Sequence, residues 1–235
     1  MIRQRRRRGL LLISAPLLGC VLLVLAACSG AAPEILTIES QVLAINDTST
    51  GTVEAGLSIF VMVRDPDGRS DLKELFIIND EAEMFWSFTD ETWLALEREE
   101  ELWIGHDRIV GAGGRDLPGG LFRVVLLDAA GERSEADFTA AGALVSRAQS
   151  LDARAFPALE IGAGSMVVSV PGNQESALVR VFDRGGNRVG NASVEPGRIS
   201  HGEFESGRPV NRSGNRAFVY VEDGGVGLVS GPYPF

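Results

Sequence analysis

Apolar and polar residues alternate along most of this chain, and the alternation has a period of two. In Thr52 to Arg64 (TVEAGLSIFVMVR), Leu57, Ile59, Val61 and Val63 fall on one face of an extended segment. Leu72 to Ile78 sets Leu72, Glu74 and Phe76 against Lys73, Leu75 and Ile77. Further strands are predicted at Leu121 to Asp128, Met166 to Val170, Ala177 to Phe182 and Ala217 to Glu222. With 28 glycines punctuating these runs, the pattern predicts an all-β chain. One stretch is ambiguous. Asp90 to Glu101 (DETWLALEREEE) is rich in helix formers behind a capping aspartate, yet Trp93 to Leu96 also reads as a strand entering a charged turn.

The same punctuation occurs three times: Asp65-Pro66-Asp67-Gly68, Asp128-Ala129-Ala130-Gly131 and Asp183-Arg184-Gly185-Gly186. Aspartate at the first position accepts backbone N–H groups, and glycine at the fourth takes the left-handed conformation that closes the turn. Turn chemistry therefore accounts for VRDPDGRSD (63–71) without an ion. As an EF-hand loop it fails, because the twelfth position counted from Asp65 is Phe76, where a bidentate glutamate is required. Asp65, Asp67 and Asp71 still supply three carboxylates, so calcium stays an open alternative to the plain turn, and no metal ligand is assigned.

Composition shifts twice. Residues 141–157 (AGALVSRAQSLDARAFP) lose the alternation and read as a linker with one helical turn. Residues 158–235 resume it with shorter strands and Gly–Asn turns. A unit of that size without disulfides is marginal alone, so it is expected to pack against what precedes it. The predicted organisation is a sandwich over 36–140, the linker, and a smaller β-rich domain over 158–235.

The first residues carry a different signal. Arg3, Arg5, Arg6, Arg7 and Arg8 precede an uncharged apolar run from Leu10 to Ala27, which ends in Leu25-Ala26-Ala27-Cys28. A basic head, an apolar middle and small residues before a cut describe a secretory signal peptide over 1–27. Leu-Ala-Ala-Cys resembles the lipobox of bacterial lipoproteins. That resemblance implies diacylglyceryl transfer to the Cys28 thiol, cleavage before it and acylation, palmitate included, of the new amine. Two or three acyl chains make a stable anchor where one does not. Residues 28–35 would then be a short tether. The location implied is the cell membrane or the outer membrane, facing periplasm or exterior. Ser29 differs from the aspartate that retains some lipoproteins at an inner membrane.

Removing the signal changes the charge. The remaining chain holds 17 basic and 32 acidic residues, a net charge of −15 instead of −10. Such a body repels phosphate backbones and anionic headgroups, which excludes nucleic acid and leaves the lipid as the membrane contact. Both cysteines, Cys20 and Cys28, lie at the N-terminus, so the exported body must fold without a disulfide.

The stretch VRDPDGRSDLKELFI and the later LPGGLFRVVLLDAAGE (117–132) resemble the immunoglobulin-like sandwich modules of exported bacterial proteins. The resemblance implies an antiparallel sandwich and no particular ligand. Catalytic signatures are sparse. His106 and His201 form no metal-ligand pairing, and no nucleophile elbow or phosphate loop occurs. The functional expectation is a non-catalytic binding or structural module, without cofactor, that contacts other envelope proteins. A glycan-binding alternative uses Trp86, Trp93 and Trp103, which sit with Phe85 and Phe88 in one short segment. A hydrolase with a spatially assembled site is the third reading.

Overall fold

The computed structural model describes residues 30–186, 188–204 and 210–235. Cys28 and the signal segment lie outside them. Among the described residues, fifteen strands make up most of the structure. The first eight are β1 (Glu34–Asp47), β2 (Thr52–Arg64), β3 (Leu72–Asn79), β4 (Met84–Thr89), β5 (Leu94–Arg98), β6 (Glu101–Val110), β7 (Gly120–Asp128) and β8 (Arg133–Ala140). A helix, α1 (Gly142–Gln149), follows. Then come β9 (Ala158–Ile161), β10 (Ser165–Ser169), β11 (Ala177–Phe182), β12 (Arg188–Val194), β13 (Gly197–Ser200), β14 (Arg216–Asp223) and β15 (Val226–Pro234). Among the described residues no helix is long and apolar enough to cross a membrane.

The predicted all-β sandwich is present. Its backbone is one eight-stranded sheet in the order β12-β11-β14-β15-β1-β2-β6-β5. A four-stranded sheet, β4-β3-β7-β8, and a three-stranded sheet, β13-β10-β9, accompany it. All pairings are antiparallel except one: β1 and β15 run parallel, from Leu43 opposite Gly227 to Asp47 opposite Gly231. That pair joins strands from 36–140 to strands from 158–235 in a single sheet.

Side-chain alternation explains the layers. Leu57, Ile59 and Val61 of β2 are fully buried, and the same face of the sheet carries Val42, Ile104, Val179, Val219 and Leu228. Leu75, Ile77, Phe122, Val124 and Leu126 of the four-stranded sheet, and Leu159, Met166, Val168 and Ile199 of the three-stranded one, complete the same buried cluster. In β3 the sequence phase slips: a bulge between Leu72 and Glu74 lets Leu72, Leu75 and Ile77 all point inward. Helix α1 packs Val145 and Ala148 against β1 and β2, and its Arg147 bonds Asp223 and the carbonyl of Gly224.

The three Asp-x-x-Gly turns form as predicted. In each the glycine amide donates to the aspartate carbonyl, at 3.1, 3.2 and 3.1 Å, with glycine φ at 103°, 83° and 83°. Two close hairpins, β7–β8 and β11–β12. The turn at 65–68 carries the chain from β2 in one sheet to β3 in another. The ambiguous 90–101 segment is strand, not helix: β5 turns into β6 through Glu99 and Glu100, both left-handed at φ 52° and 70°. As an edge strand β5 keeps its glutamates in water, so helix formers are tolerated there. The expected tether is already against the body at Gly30, and Pro33 is buried.

Candidate functional site: a cleft inside the rolled sheet

Among the described residues, no other sheet covers the second face of the eight-stranded sheet. It is closed by its own curvature. Arg180 on β11 and Asp107 on β6 are five strand intervals apart, which in a flat sheet is roughly 24 Å. Their Nη1 and Oδ2 atoms lie 3.8 Å apart. The sheet has therefore rolled until strands near its two edges face each other, in the direction that accumulated strand twist favours. A small second cluster, Leu43, Ile45, Phe182, Phe218 and Val229, fills part of the interior.

Three neighbouring cavities of about 570, 420 and 330 Å³ lie in the rest, and Asp107 lines all of them. The largest is bordered by Phe60, Leu94, Leu96, Arg98, Phe182 and Arg188. Leu94 and Leu96 come from β5 and Arg188 from β12, the two edge strands of the sheet. The lining thus mixes apolar side chains with guanidinium groups in an otherwise acidic protein.

Asp107 organises the floor. It is 8% exposed, and its Oδ1 lies 3.7 Å from Arg108 Nε. A bulge in β6 between the partners of Leu57 and Ile59 turns the His106–Asp107–Arg108 stretch, so that these residues no longer alternate simply. The Arg108 guanidinium sits 4.3 Å above the Phe218 ring, and that of Arg180 sits 4.7 Å above Tyr220. Burial pushes the Tyr220 phenol up, and the Asp107 charge adds to this against Arg108 and Arg180. Arg98 at the rim pairs with Glu39 at 2.8 Å and covers Trp103. His106 stacks on Phe88 and accepts the Arg108 amide at Nδ1. Desolvation holds its imidazole below the ordinary range, against the pull of Asp107.

The tryptophans singled out in the sequence lie mostly inside. Trp103 is 7% exposed; Trp86 is half-buried, packs on the core and donates its indole N–H to the Val110 carbonyl; Trp93 is half-buried against the same core. They do not form an exposed strip, and the strongly exposed aromatic of that segment is Phe85, at 64%. The residues that sequence reasoning passed over are Asp107, Arg108 and Arg180. The signal available for them was a charged pair inside an apolar strand, a costly placement unless the charges meet a partner.

No protein-family model matches the sequence, and no curated protein matches it. Among solved structures, dimeric latent PorU from Porphyromonas gingivalis is similar over 90% of this chain and 20% of that one, at 15% identity and a TM-score of 0.34. The BSP domain of a biofilm associated protein is similar over 84% of this chain and 29% of that one, at 12% identity and a TM-score of 0.25. This chain spans less than a third of either chain's length. Likenesses this slight carry no argument about activity.

Proposed function

We propose that this protein is an exported, lipid-anchored and non-catalytic binding module of the bacterial cell envelope, and that it holds a segment of another envelope protein in the cleft of the rolled sheet. The observation that carries the reading is Asp107, buried between two guanidinium groups and bordering all three cavities. Charges paired with each other in this way suit recognition and positioning. Phe60, Phe182, Leu94 and Leu96 supply apolar contact, while Arg98, Arg188 and Glu39 supply charge of both signs at the mouth. A polypeptide with alternating apolar and charged side chains suits such a lining. Anchoring through Cys28 keeps the module at a surface where its partners are concentrated.

The test is site-specific photo-crosslinking in cells of the source type. A benzophenone amino acid replaces Leu96 in the cleft or Leu121 on the outer face of the four-stranded sheet, where it is 60% exposed. A discrete protein adduct at position 96 that is absent at 121 is the expected result. Adducts at 121 alone, or equal adducts at both, refute the assignment of the cleft.

A further inference from the structure

One wall of the cleft is a strand edge and not a sheet face. The eight-stranded sheet ends in β5 on one side and β12 on the other, and each of these strands pairs with a single neighbour. Strands inside the sheet lend the largest cavity alternate residues, as a pleated strand must: Ser58 and Phe60 from β2, Arg180 and Phe182 from β11. β5 lends it Leu94, Ala95 and Leu96 in succession. Consecutive side chains of a strand point to opposite faces, so a cavity that touches all three runs along the edge of the strand. The same happens at Glu39, Ser40 and Gln41 of β1, and there too one edge is open, because the β1–β15 pairing begins only at Leu43.

The register of the β5–β6 hairpin shows which backbone groups face that edge. Arg98 and Glu101 flank the turn Glu99–Glu100, whose φ angles are both positive. A two-residue turn of this kind is closed by a hydrogen-bonded pair, and such pairs alternate with pairs that exchange no bonds. Leu96 opposite Trp103 and Leu94 opposite Gly105 are therefore bonded to β6, while Ala95 and Glu97 direct N–H and C=O groups to the open side. Ala95 borders the cavity for this reason, although its side chain stands on the other face, level with Ile104. Edge strands are commonly blunted by charge on the side where pairing threatens. Here the residues of β5 that look into the cleft are led by Leu94 and Leu96, with Phe60 and Phe182 beyond them. Across the cavity stands Arg188 of β12, which has no ion-pair partner among the described residues.

We propose that the cleft takes its partner as a β-strand. An extended segment as long as β5, five residues, pairs with the open edge of β5. It presents apolar side chains at alternate positions to Leu94, Leu96, Phe60 and Phe182, and sets a carboxylate against Arg188. The inference rests on the reading of the cleft as a binding site and specifies the mode. Main-chain hydrogen bonds then give affinity, and the alternate side chains give selectivity. A helix has spent its own N–H and C=O groups and would leave those of Ala95 and Glu97 unmatched in the cleft.

The experiment places a benzophenone amino acid at Phe60, on the cleft floor and two strands away from the edge under test. In cells of the source type, the adduct yield should fall at least about threefold in Ala95→Pro, which removes an outward amide, and hold in Ala95→Val, which keeps it. Neither change touches the β5–β6 ladder, so both variants should melt with wild type. Hydrogen exchange on the purified adduct reads the edge without any substitution there, and it alone decides if Ala95→Pro melts well below wild type. The amides of 95 and 97 should exchange freely in the uncoupled protein and at least about tenfold more slowly in the adduct. Mass spectrometry of the crosslinked peptide should return an alternating apolar segment that contains an acidic residue. Full yield in a well-folded Ala95→Pro, an equal loss in Ala95→Val, unprotected amides at 95 and 97, or a crosslinked segment without the alternation overturns the strand mode and leaves the cleft as a binding site. Absence of any adduct at both 60 and 96 removes the cleft reading itself, and the strand mode with it.

Discussion

Replacing Asp107 by asparagine tests whether the roll of the sheet is held by charge. The carboxylate is 3.8 Å from Arg180 and 3.7 Å from Arg108. At an effective dielectric constant of ~20, one such pair attracts by roughly 4 kcal/mol. Desolvation of the carboxylate and the partial exposure of both arginines take back most of this. A net coupling of about 1–2 kcal/mol per pair remains. The two substitutions that break the Arg180 contact should differ. Arg180→Gln leaves Asp107 paired with Arg108. Asp107→Asn leaves two guanidinium groups facing one space without their anion. The second should cost about 2–4 kcal/mol and the first distinctly less.

Urea unfolding of wild type, both single variants and the double variant gives the coupling directly. The expected interaction energy is ~1–2 kcal/mol, with the double variant less destabilised than the sum of the singles. Two results refute the reasoning. One is additivity within about 0.3–0.5 kcal/mol, which would mean that the contact across five strands carries no energy. The other is a larger loss for Arg180→Gln than for Asp107→Asn, which would mean that the stack of Arg180 on Tyr220, and not the ion pair, holds the cleft shut.

Four further outcomes follow from the same structure. Gly105→Ala would set a Cβ 2.0 Å from the Ile59 carbonyl oxygen and 2.8 Å from Phe60 Cα; the β2–β6 ladder must part, and chemical denaturation should record a loss of at least ~2–3 kcal/mol. His106 has a folded-state pKa below the 6.5 of ordinary imidazole, so the stability it contributes above pH 6.5 is lost as the pH falls through the folded value; His106→Gln should flatten the wild-type decline in melting temperature as the pH falls below 6.5. Cys28→Ala should abolish lipid attachment and move the protein from the detergent phase to the aqueous phase, and an unchanged partition would remove the anchor from the reading. Residues 158–235 expressed alone should lack a melt as sharp as that of the full chain, because β15 loses β1 and the core face of β14 and β15 loses its cover; a cooperative melt would show an independent domain.

Strands were legible where one face is buried and the other wet. β2 and β11 run from Thr52 to Arg64 and from Ala177 to Phe182, the bounds their alternation predicts. The two central strands of the eight-stranded sheet, β1 and β15, were not legible. In β1 the residues Val42 to Ile45 are buried in succession, and in β15 so are Val226 to Gly231. Both strands lie in the middle of a sheet with a core on one side and the rolled interior on the other. A strand covered on both faces loses its period of two, and glycine, serine and proline in β15 further mask it. The parallel β1–β15 pair is a contact between distant parts of the chain, which no local pattern encodes.

The cleft was hidden for a related reason: it is assembled by a deformation, not by a motif. A bulge in β6 turns Asp107 toward Arg180, and accumulated twist brings β11 close enough to meet it.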